Sequence, residues 1–400
     1  YVGMDVHKQY VMIGGVNRSQ EVVLQPRRLR FAQGEVERWV KGNLHGDDRV
    51  VIEATSKAWE LYDLVHPLVE EVVIADSRLV KLIARAKVKT DAIDTLKLAR
   101  LLAGGLIPAI WVPPQEVRAL RAMVKHRMRL VQQRTQTRNR LHGLLQRHTF
   151  ALPKGAVFAA EQREYWHSLP LGAEERMLAM QNLALLDALE PLIQQADQEL
   201  VRLSNSARWQ REVTLLVQLD GIGPLTAMAL LAGIGEIGRF AHPKTLVSYA
   251  GLAPGVHDSG QTHRGGRITK EGRREMRYYL IEAAWMAVRH SPHWGEQFHI
   301  LAGRTGEEKA IVAIARKLLV TIWHVLQKGV VDRHTQEQTI TRKFRRWADQ
   351  CHRQGRHGLS RAQFVAEHLA QLGLGASPRE PARVAESSSV PNGPPAQPGG

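Results

Sequence analysis

Two short apolar runs limit what the N-terminal part of this chain can become. Val50-Val51-Ile52 and Val72-Val73-Ile74 are β-branched, bounded by charged residues, and separated by a stretch, 57–70, with helical periodicity. Runs of that kind are buried strands, and two of them joined through a helix form a βαβ unit. An α/β domain is therefore predicted over residues 1–110. Residues 1–16 alternate as a strand does and are predicted to turn back at Gly14-Gly15. Thr90 to Leu102 reads as a further helix, closed by Gly104-Gly105.

Beyond Trp111-Val112-Pro113-Pro114 the periodicity becomes helical. Residues 115–148 form one long helical candidate with Val117, Val124, Val131 and Leu145 at seven-residue spacing and Arg138 in the remaining slot. That pattern predicts a coiled coil interrupted by charge, or a helix that faces a phosphate backbone over part of its length. A second helical stretch, 173–205, holds Pro191, which predicts a break or a new start. The two are expected to pair antiparallel as a stalk spanning 111–208. From 209 to 330 a mainly helical domain is predicted. Its LDGIGP segment resembles a helix-hairpin-helix element, whose Gly turn can hold a phosphate or can simply pack closely. A Gly- and Arg-rich loop over 243–269 and helices at 270–290 and 308–327 follow. Residues 331–374 read as a basic helical extension. In 375–400, 14 of 26 residues are Pro, Gly or Ser, which predicts disorder.

The chain carries 55 Lys and Arg against 39 Asp and Glu, a net charge of +16, and the excess is gathered into three segments. They are 115–148 (with Arg121, Lys125, Arg127, Arg134 and Arg138), 263–277 (with Arg264, Arg267, Lys270, Arg273 and Arg274) and 342–361. Positive charge clustered in this way points to a polyanion, and nucleic acid is the expected partner. The single cysteine, Cys351, excludes an intrachain disulfide framework and a Cys-based zinc site, and suits a reducing compartment. No stretch of 18 uncharged apolar residues is present, so no membrane partner is expected. Tyr at position 1 suggests that the native start is missing.

Four acids stand in apolar surroundings, where a charge is costly unless compensated. Asp5 lies within the first strand, Glu53 ends the strand VVIE, and Asp91 and Asp94 sit three apart at the start of the helix TDAIDTLKLAR. Carboxylates at adjacent strand ends, with a pair on a covering helix, make an oxygen-rich cluster of the kind hard divalent cations require. Two ions about 4 Å apart could serve both the attacking and the leaving oxygen at one phosphate. Each acid taken singly suits a helix N-terminal charge or an ion pair; their joint placement favours metal-dependent phosphodiester chemistry. His7 and Lys8 stand beside Asp5 and could bear on a phosphate.

The segments GMDVHK, VIEATS, KVKTDAIDTLKLARLL, LDGIGPLTAMALLAGIGEIGRF, SYAGLAPGVHDSGQTHRGGRITKEGRREMRYYLIEAA and EKAIVAIARKLL together resemble the insertion-sequence-110 family of transposases, in family order over about 1–330. The resemblance implies a RuvC-like, RNase H-type N-terminal domain with a DEDD set at Asp5, Glu53, Asp91 and Asp94 holding Mg²⁺ (or Mn²⁺). It implies a coiled-coil stalk and a C-terminal transposase domain. Ser259, in Pro254-Gly-Val-His-Asp-Ser259-Gly260, matches the family's nucleophile. The family's recombination goes through a serine–DNA linkage. A structured bridge RNA guides donor and target DNA, and dimers assemble into tetramers; a bacterial, nucleoid-associated cytoplasmic protein is implied. Two distant segments, within or between subunits, would then have to meet.

The residues alone leave other readings of Ser259 open: it could begin a Ser-Gly turn. His257 and His263 flank it as possible proton carriers. Ser248, in VSYAGLAP, is the competing serine, and its apolar neighbours predict packing. A RuvC-type junction nuclease that uses water on the same carboxylates is the main alternative function. A non-enzymatic nucleic-acid-binding protein, whose acids serve only in ion pairs, is the other.

Overall fold

The computed structural model describes residues 1–83, 90–259 and 262–375. Residues 376–400 of the predicted tail, the KVK of the KVKTDAID segment and Gly260 after the candidate serine lie outside the described residues. The chain divides into two compact units, 1–114 and 115 onward.

The first unit is a six-stranded mixed sheet with helices on both faces. Its elements are β1 (Val2–Val6), β2 (Tyr10–Val16), β3 (Val22–Arg30), α1 (Glu35–Asn43), β4 (Arg49–Glu53), α2 (Ala58–Val65), β5 (Glu71–Ala75), α3 (Ser77–Ile83), α4 (Asp91–Ala103) and β6 (Ala109–Ile110). The strand order is β3-β2-β1-β4-β5-β6. Strands β1, β2 and β3 form an antiparallel meander, β4 and β5 run parallel to β1, and β6 closes the edge antiparallel to β5. The expected βαβ unit is β4-α2-β5. Along β4 the side chains alternate between two cores. Val50 and Ile52 join Met4, Ile13 and Trp39 on one face. Val51 joins Ala75, Leu98 and Leu101 on the other, under α4.

The predicted turn at Gly14-Gly15 is not there. The chain reverses at residues 7–9, where the His7 N–H donates to the Tyr10 carbonyl (2.9 Å), and both glycines lie inside β2. Gly14 is there because α4 lies close on the sheet, and Gly15 because the Tyr1 carbonyl and Leu24 crowd it from the neighbouring strands. A Cβ on Gly14 would sit 3.2 Å from Leu96, and one on Gly3 would sit 2.2 Å from the Thr95 carbonyl oxygen. The missing side chains set the depth at which α4 docks.

The second unit is helical except for one hairpin. Its first helices are α5 (Gln115–Arg147), α6 (Arg163–Ser168) and α7 (Ala173–Ser204), then α8 (Gln210–Val217), α9 (Pro224–Ile234) and α10 (Pro243–Tyr249). The hairpin is β7 (Pro254–Ser259) and β8 (Thr262–Ile268); α11 (Arg274–His290), α12 (Pro292–Thr305), α13 (Glu307–Lys328), α14 (Glu337–Gln350), α15 (His352–Gly355) and α16 (Arg361–Gln371) complete it. Helices α5 and α7 pair antiparallel, with Arg127 beside Asp197, Arg134 beside Glu190 and Arg147 beside Glu175. Leu141, Leu144, Leu183 and Leu186 share a core with Trp166 of α6. α7 is not broken at Pro191, because Leu189 and Ile193, on either side of it, are buried in contact with Leu130 of α5. That burial outweighs the roughly 3 kcal/mol a mid-helix proline costs.

At the LDGIGP segment Gly221 takes a left-handed φ of 79°, and a Cβ there would meet the Ala283 carbonyl oxygen of α11 at 2.1 Å. Close packing accounts for that glycine. Helix α13 is long and apolar enough to cross a membrane by length and composition, but half of that stretch is buried inside the protein. Ala310, Ile314, Leu318 and Ile322 form its buried face, as in a core helix.

Candidate active site

The acids of the first unit converge because of strand register. β1 and β4 are parallel, with Met4 opposite Ile52, so the next residues, Asp5 and Glu53, leave the sheet side by side. Asp5 is 7% exposed. Burial first, and then the Glu53 carboxyl hydrogen-bonded to it, push the Asp5 pKa up from 3.8 to about 6; His7 acts in the opposite direction. Two adjacent carboxyls in a half-dry site cannot both ionise freely without a cation.

Asp91 reaches the same place from the first turn of α4, whose N-terminus is fixed by Thr90: its hydroxyl accepts from the Ile93 N–H (3.3 Å). The His7 Nε2 lies 3.2 Å from an Asp5 carboxylate oxygen and 3.4 Å from one of Asp91. Asp5, His7 and Asp91 can present ligand atoms that all lie within 4.8 Å of one another, a group able to hold a metal ion. Among the described residues no Lys or Arg forms an ion pair with Asp5 or Asp91. The donor set, carboxylates with one imidazole and uncompensated negative charge, fits a divalent cation. Asp94, one turn further along α4, is engaged differently: its carboxylate pairs with Lys97 at 2.7 Å. Of the four expected carboxylates, three meet, and the fourth stands on the same helix facing a lysine.

Two residues the sequence did not single out complete the site. The Tyr10 hydroxyl donates to Asp91 (2.7 Å), and its ring stacks on His7 with centroids 4.5 Å apart. The Arg28 guanidinium lies over the Tyr10 ring, 3.7 Å from its centroid. Exposed Arg28 and Arg30 lie opposite Met12 and Tyr10 on the face that Tyr10 shares, so the carboxylate site has a basic edge. The run QPRRLR was visible in the sequence; its adjacency to the acids depends on β3 pairing with β2.

In the second unit, the expected Gly- and Arg-rich loop holds a β-hairpin. Ser259 is the last residue of β7, opposite Thr262, with His257 opposite Arg264 and Asp258 opposite His263. The hairpin base is held by Gly251 and Gly272, both at positive φ. A Cβ on Gly272 would lie 2.2 Å from the Tyr249 carbonyl oxygen, and one on Gly251 would lie 2.4 Å from that of Glu271. Ser248 lies exposed on α10 rather than packed. Beside it, half-buried Tyr249 accepts from Arg273 (2.8 Å). Burial acts to raise the Tyr249 pKa, but Arg273, Arg121 and Arg239 together outweigh it and lower the value.

The arginines expected to meet nucleic acid divide into two groups. Arg121 donates to the carbonyls of Ala232 (2.7 Å) and Gly233 (3.2 Å). Arg127 pairs with Asp197 (2.6 Å), while Arg134 (3.2 Å) and Arg138 (3.9 Å) both reach Glu190. These four face inward partners. Lys125, Lys270 and Arg274 are exposed; Arg264 and Arg267 lie on β8.

A sheet that gathers carboxylates, followed by a helical unit with a serine-bearing hairpin, defines the class: residues 2–150 match a transposase profile, that of the DEDD transposases of the IS110 type. Residues 213–299 match the profile described as transposase IS116/IS110/IS902 family. The chain belongs to this IS110-type family of transposases and is an enzyme of DNA recombination. It is 31% identical to the y4rJ protein of Sinorhizobium fredii over 62% of this chain and 68% of that one. It is 27% identical to the transposase for insertion sequence element IS1111A of Coxiella burnetii, over 60% of this chain and 67% of that one. It is 33% identical to the pilin gene-inverting protein of Moraxella bovis, over 34% of this chain and 44% of that one. Across the first transposase relatives the chain spans 60% to 68% of their length.

Proposed function

We propose that this chain cuts and rejoins DNA for an insertion sequence through a covalent serine–DNA intermediate. The observation that carries the metal-dependent cutting is the meeting of Asp5, Glu53 and Asp91 in a site with uncompensated negative charge, while the part of Ser259 rests on the family resemblance. The strand order, an antiparallel meander followed by parallel strands, supports an RNase H-type, RuvC-like domain. Asp5, Glu53 and Asp91 would hold Mg²⁺ (or Mn²⁺), with Asp94 available once it leaves Lys97. When bound, the ion supplies positive charge at the scissile phosphate.

Ser259 supplies the nucleophile. Its Oγ–P bond forms as a P–O bond of the DNA strand breaks; the hydroxyl proton is taken up by a base and the departing strand end is released as a hydroxyl. A hydroxyl of the new strand then attacks the serine phosphodiester and regenerates Ser259, so rejoining needs no external energy. His257 and His263 flank the serine as candidate proton carriers.

Donor and target DNA are the substrates. Sequence choice is delegated to a structured bridge RNA, a part of the reading that rests on the family resemblance. Assembly into dimers and tetramers is supported by the outer face of α7. There Leu178, Leu185 and Leu192 recur at seven-residue spacing and remain 51%, 42% and 46% exposed. That stripe suits a second helical hairpin as in a coiled coil. The acting particle is then expected in the bacterial cytoplasm, at the nucleoid.

The deciding experiment incubates Ser259→Ala and the unaltered protein with end-labelled element DNA and resolves products under denaturing conditions. The unaltered protein is expected to leave a protein–DNA adduct and rejoined strands; Ser259→Ala is expected to leave neither. Normal cutting and joining by Ser259→Ala would refute the serine mechanism and favour a RuvC-type nuclease that uses water.

A further inference from the structure

The basic segment 342–361 lies beyond the stretches that match the family profiles, and the fold uses it in an unusual way. α14 is sharply two-faced. Ile340, Phe344, Trp347 and Ala348 are fully buried. The Trp347 indole N–H donates to the Ser204 hydroxyl at the end of α7 (2.8 Å). The Asn205 amide donates to the Gly355 carbonyl (2.9 Å) and Arg356 to that of Ala348 (2.6 Å). Lys343 donates to the Leu219 carbonyl in the turn between α8 and α9. Phe364 of α16 meets Trp347 edge-on (ring centroids 5.2 Å apart), and the His368 ring lies tilted against it (4.4 Å). The segment is a built module, clamped to α7 and α8, and not a solvated terminal helix.

Its outer face is the contrast. Arg342, Arg345, Arg346 and Arg353 are exposed. Among the described residues none of the four forms an ion pair; Asp349, the acid nearest in sequence, is paired with Arg361 (3.0 Å). Arg342, Arg345 and Arg346 stand three and four apart, an arrangement in which like charges destabilise a helix. The arginines of α5 show the alternative, because α7 supplies Asp197, Glu190 and Glu175 to them. On α14 no such acids are supplied, and the shallow groove beside Arg342 and Arg345 holds one acid, Glu337, among Gln336, Gln338 and Thr341. Buried aromatic anchors hold a row of unneutralised guanidiniums outward, and a guanidinium row suits phosphodiester oxygens.

We propose that the outer face of α14, through Arg342, Arg345 and Arg346, is a binding platform for a nucleic-acid phosphate backbone. It is distinct from the paired arginines of α5. The inference rests on the reading that this chain handles nucleic acid, and adds where the backbone is held.

The test uses the full chain with Arg342, Arg345 and Arg346 all changed to Gln, binding a labelled DNA duplex or a labelled RNA hairpin between about 50 and 200 mM salt. Three lost phosphate contacts should flatten the log–log salt slope by about 2.7 on duplex DNA, so the affinity lost across that range shrinks by about 40-fold. The triple Arg→Lys variant should keep the original slope and thermal midpoint, and the Gln variant, relieved of like-charge repulsion, should melt no lower than the unaltered chain. Flattening on DNA alone assigns the platform to the substrate, and flattening on RNA alone assigns it to a guide; either supports it. An unchanged slope with both probes, in a folded Gln variant, overturns the platform and leaves the transposase reading intact. Failure of the unaltered chain to bind either probe overturns both. Should the Gln variant not fold, a flattened slope in Arg345→Gln alone supports the platform and an unchanged one counts against it.

Discussion

Asp5→Asn should make the metal-free protein more stable at neutral pH while abolishing divalent-ion binding. Asp5 is 7% exposed, and burial together with the Glu53 carboxyl raises its pKa from 3.8 to about 6. An acid whose pKa rises on folding holds its proton more tightly in the native state. Its contribution to stability is therefore fully present below about pH 4 and is lost as pH rises through about 6. The difference between 3.8 and about 6 is worth roughly 3 kcal/mol. An amide removes the charge but still needs hydrogen-bond partners, so a gain of about 1–3 kcal/mol is expected. Urea denaturation in EDTA followed by circular dichroism measures it. The variant should exceed the unaltered chain near pH 7.5, and the gap should close near pH 4. With Mg²⁺ at about 100 times its dissociation constant, the unaltered chain should gain about 2.7 kcal/mol and the variant nothing. A variant less stable than the unaltered chain in EDTA at neutral pH, or a gap that persists at pH 4, would show that Asp5 has a structural partner and is not a strained ligand.

Two other substitutions probe how the site is held. Gly3→Ala would place a Cβ 2.2 Å from the Thr95 carbonyl oxygen, forcing α4 away from β1; about 1–3 kcal/mol of stability should be lost, together with Mn²⁺ binding, and unchanged denaturation curves would refute that docking. Tyr10→Phe removes the hydroxyl donated to Asp91 (2.7 Å). Mn²⁺ affinity, read from the electron paramagnetic resonance signal of the free ion, should fall roughly 10-fold; equal affinity would mean that Asp91 is positioned without it.

Much of the first unit was legible because its signals are local. The β-branched runs at 50–52 and 72–74, with a helix between them, require parallel strands, and the helix read over Thr90 to Leu102 is α4, with Thr90 as its cap rather than its first residue. Gly14 and Gly15 were misread as a turn because what crowds them, Leu96 of α4 for Gly14 and Tyr1 and Leu24 for Gly15, comes near only when the strands pair and α4 docks. Tyr10 and Arg28 were missed for the same reason: each becomes relevant only when β2 and β3 pair and α4 comes down beside them. The hairpin at 254–268 was hidden by glycines and arginines that dilute the alternation of a strand.

Charge shows the division most clearly. The sequence by itself determined that basic residues gather in three segments, that acids interrupt apolar strands, and that the chain builds an α/β unit before a helical one. Those properties follow from residue type and spacing, which act over a few residues. The tertiary structure alone decided which charges are satisfied. Arg127 and Asp197 are 70 residues apart yet lie at 2.6 Å, whereas Arg342, Arg345 and Arg346 face outward with no ion-pair partner among the described residues. Electrostatic energy depends on distance and burial, and both are set only when distant segments pack.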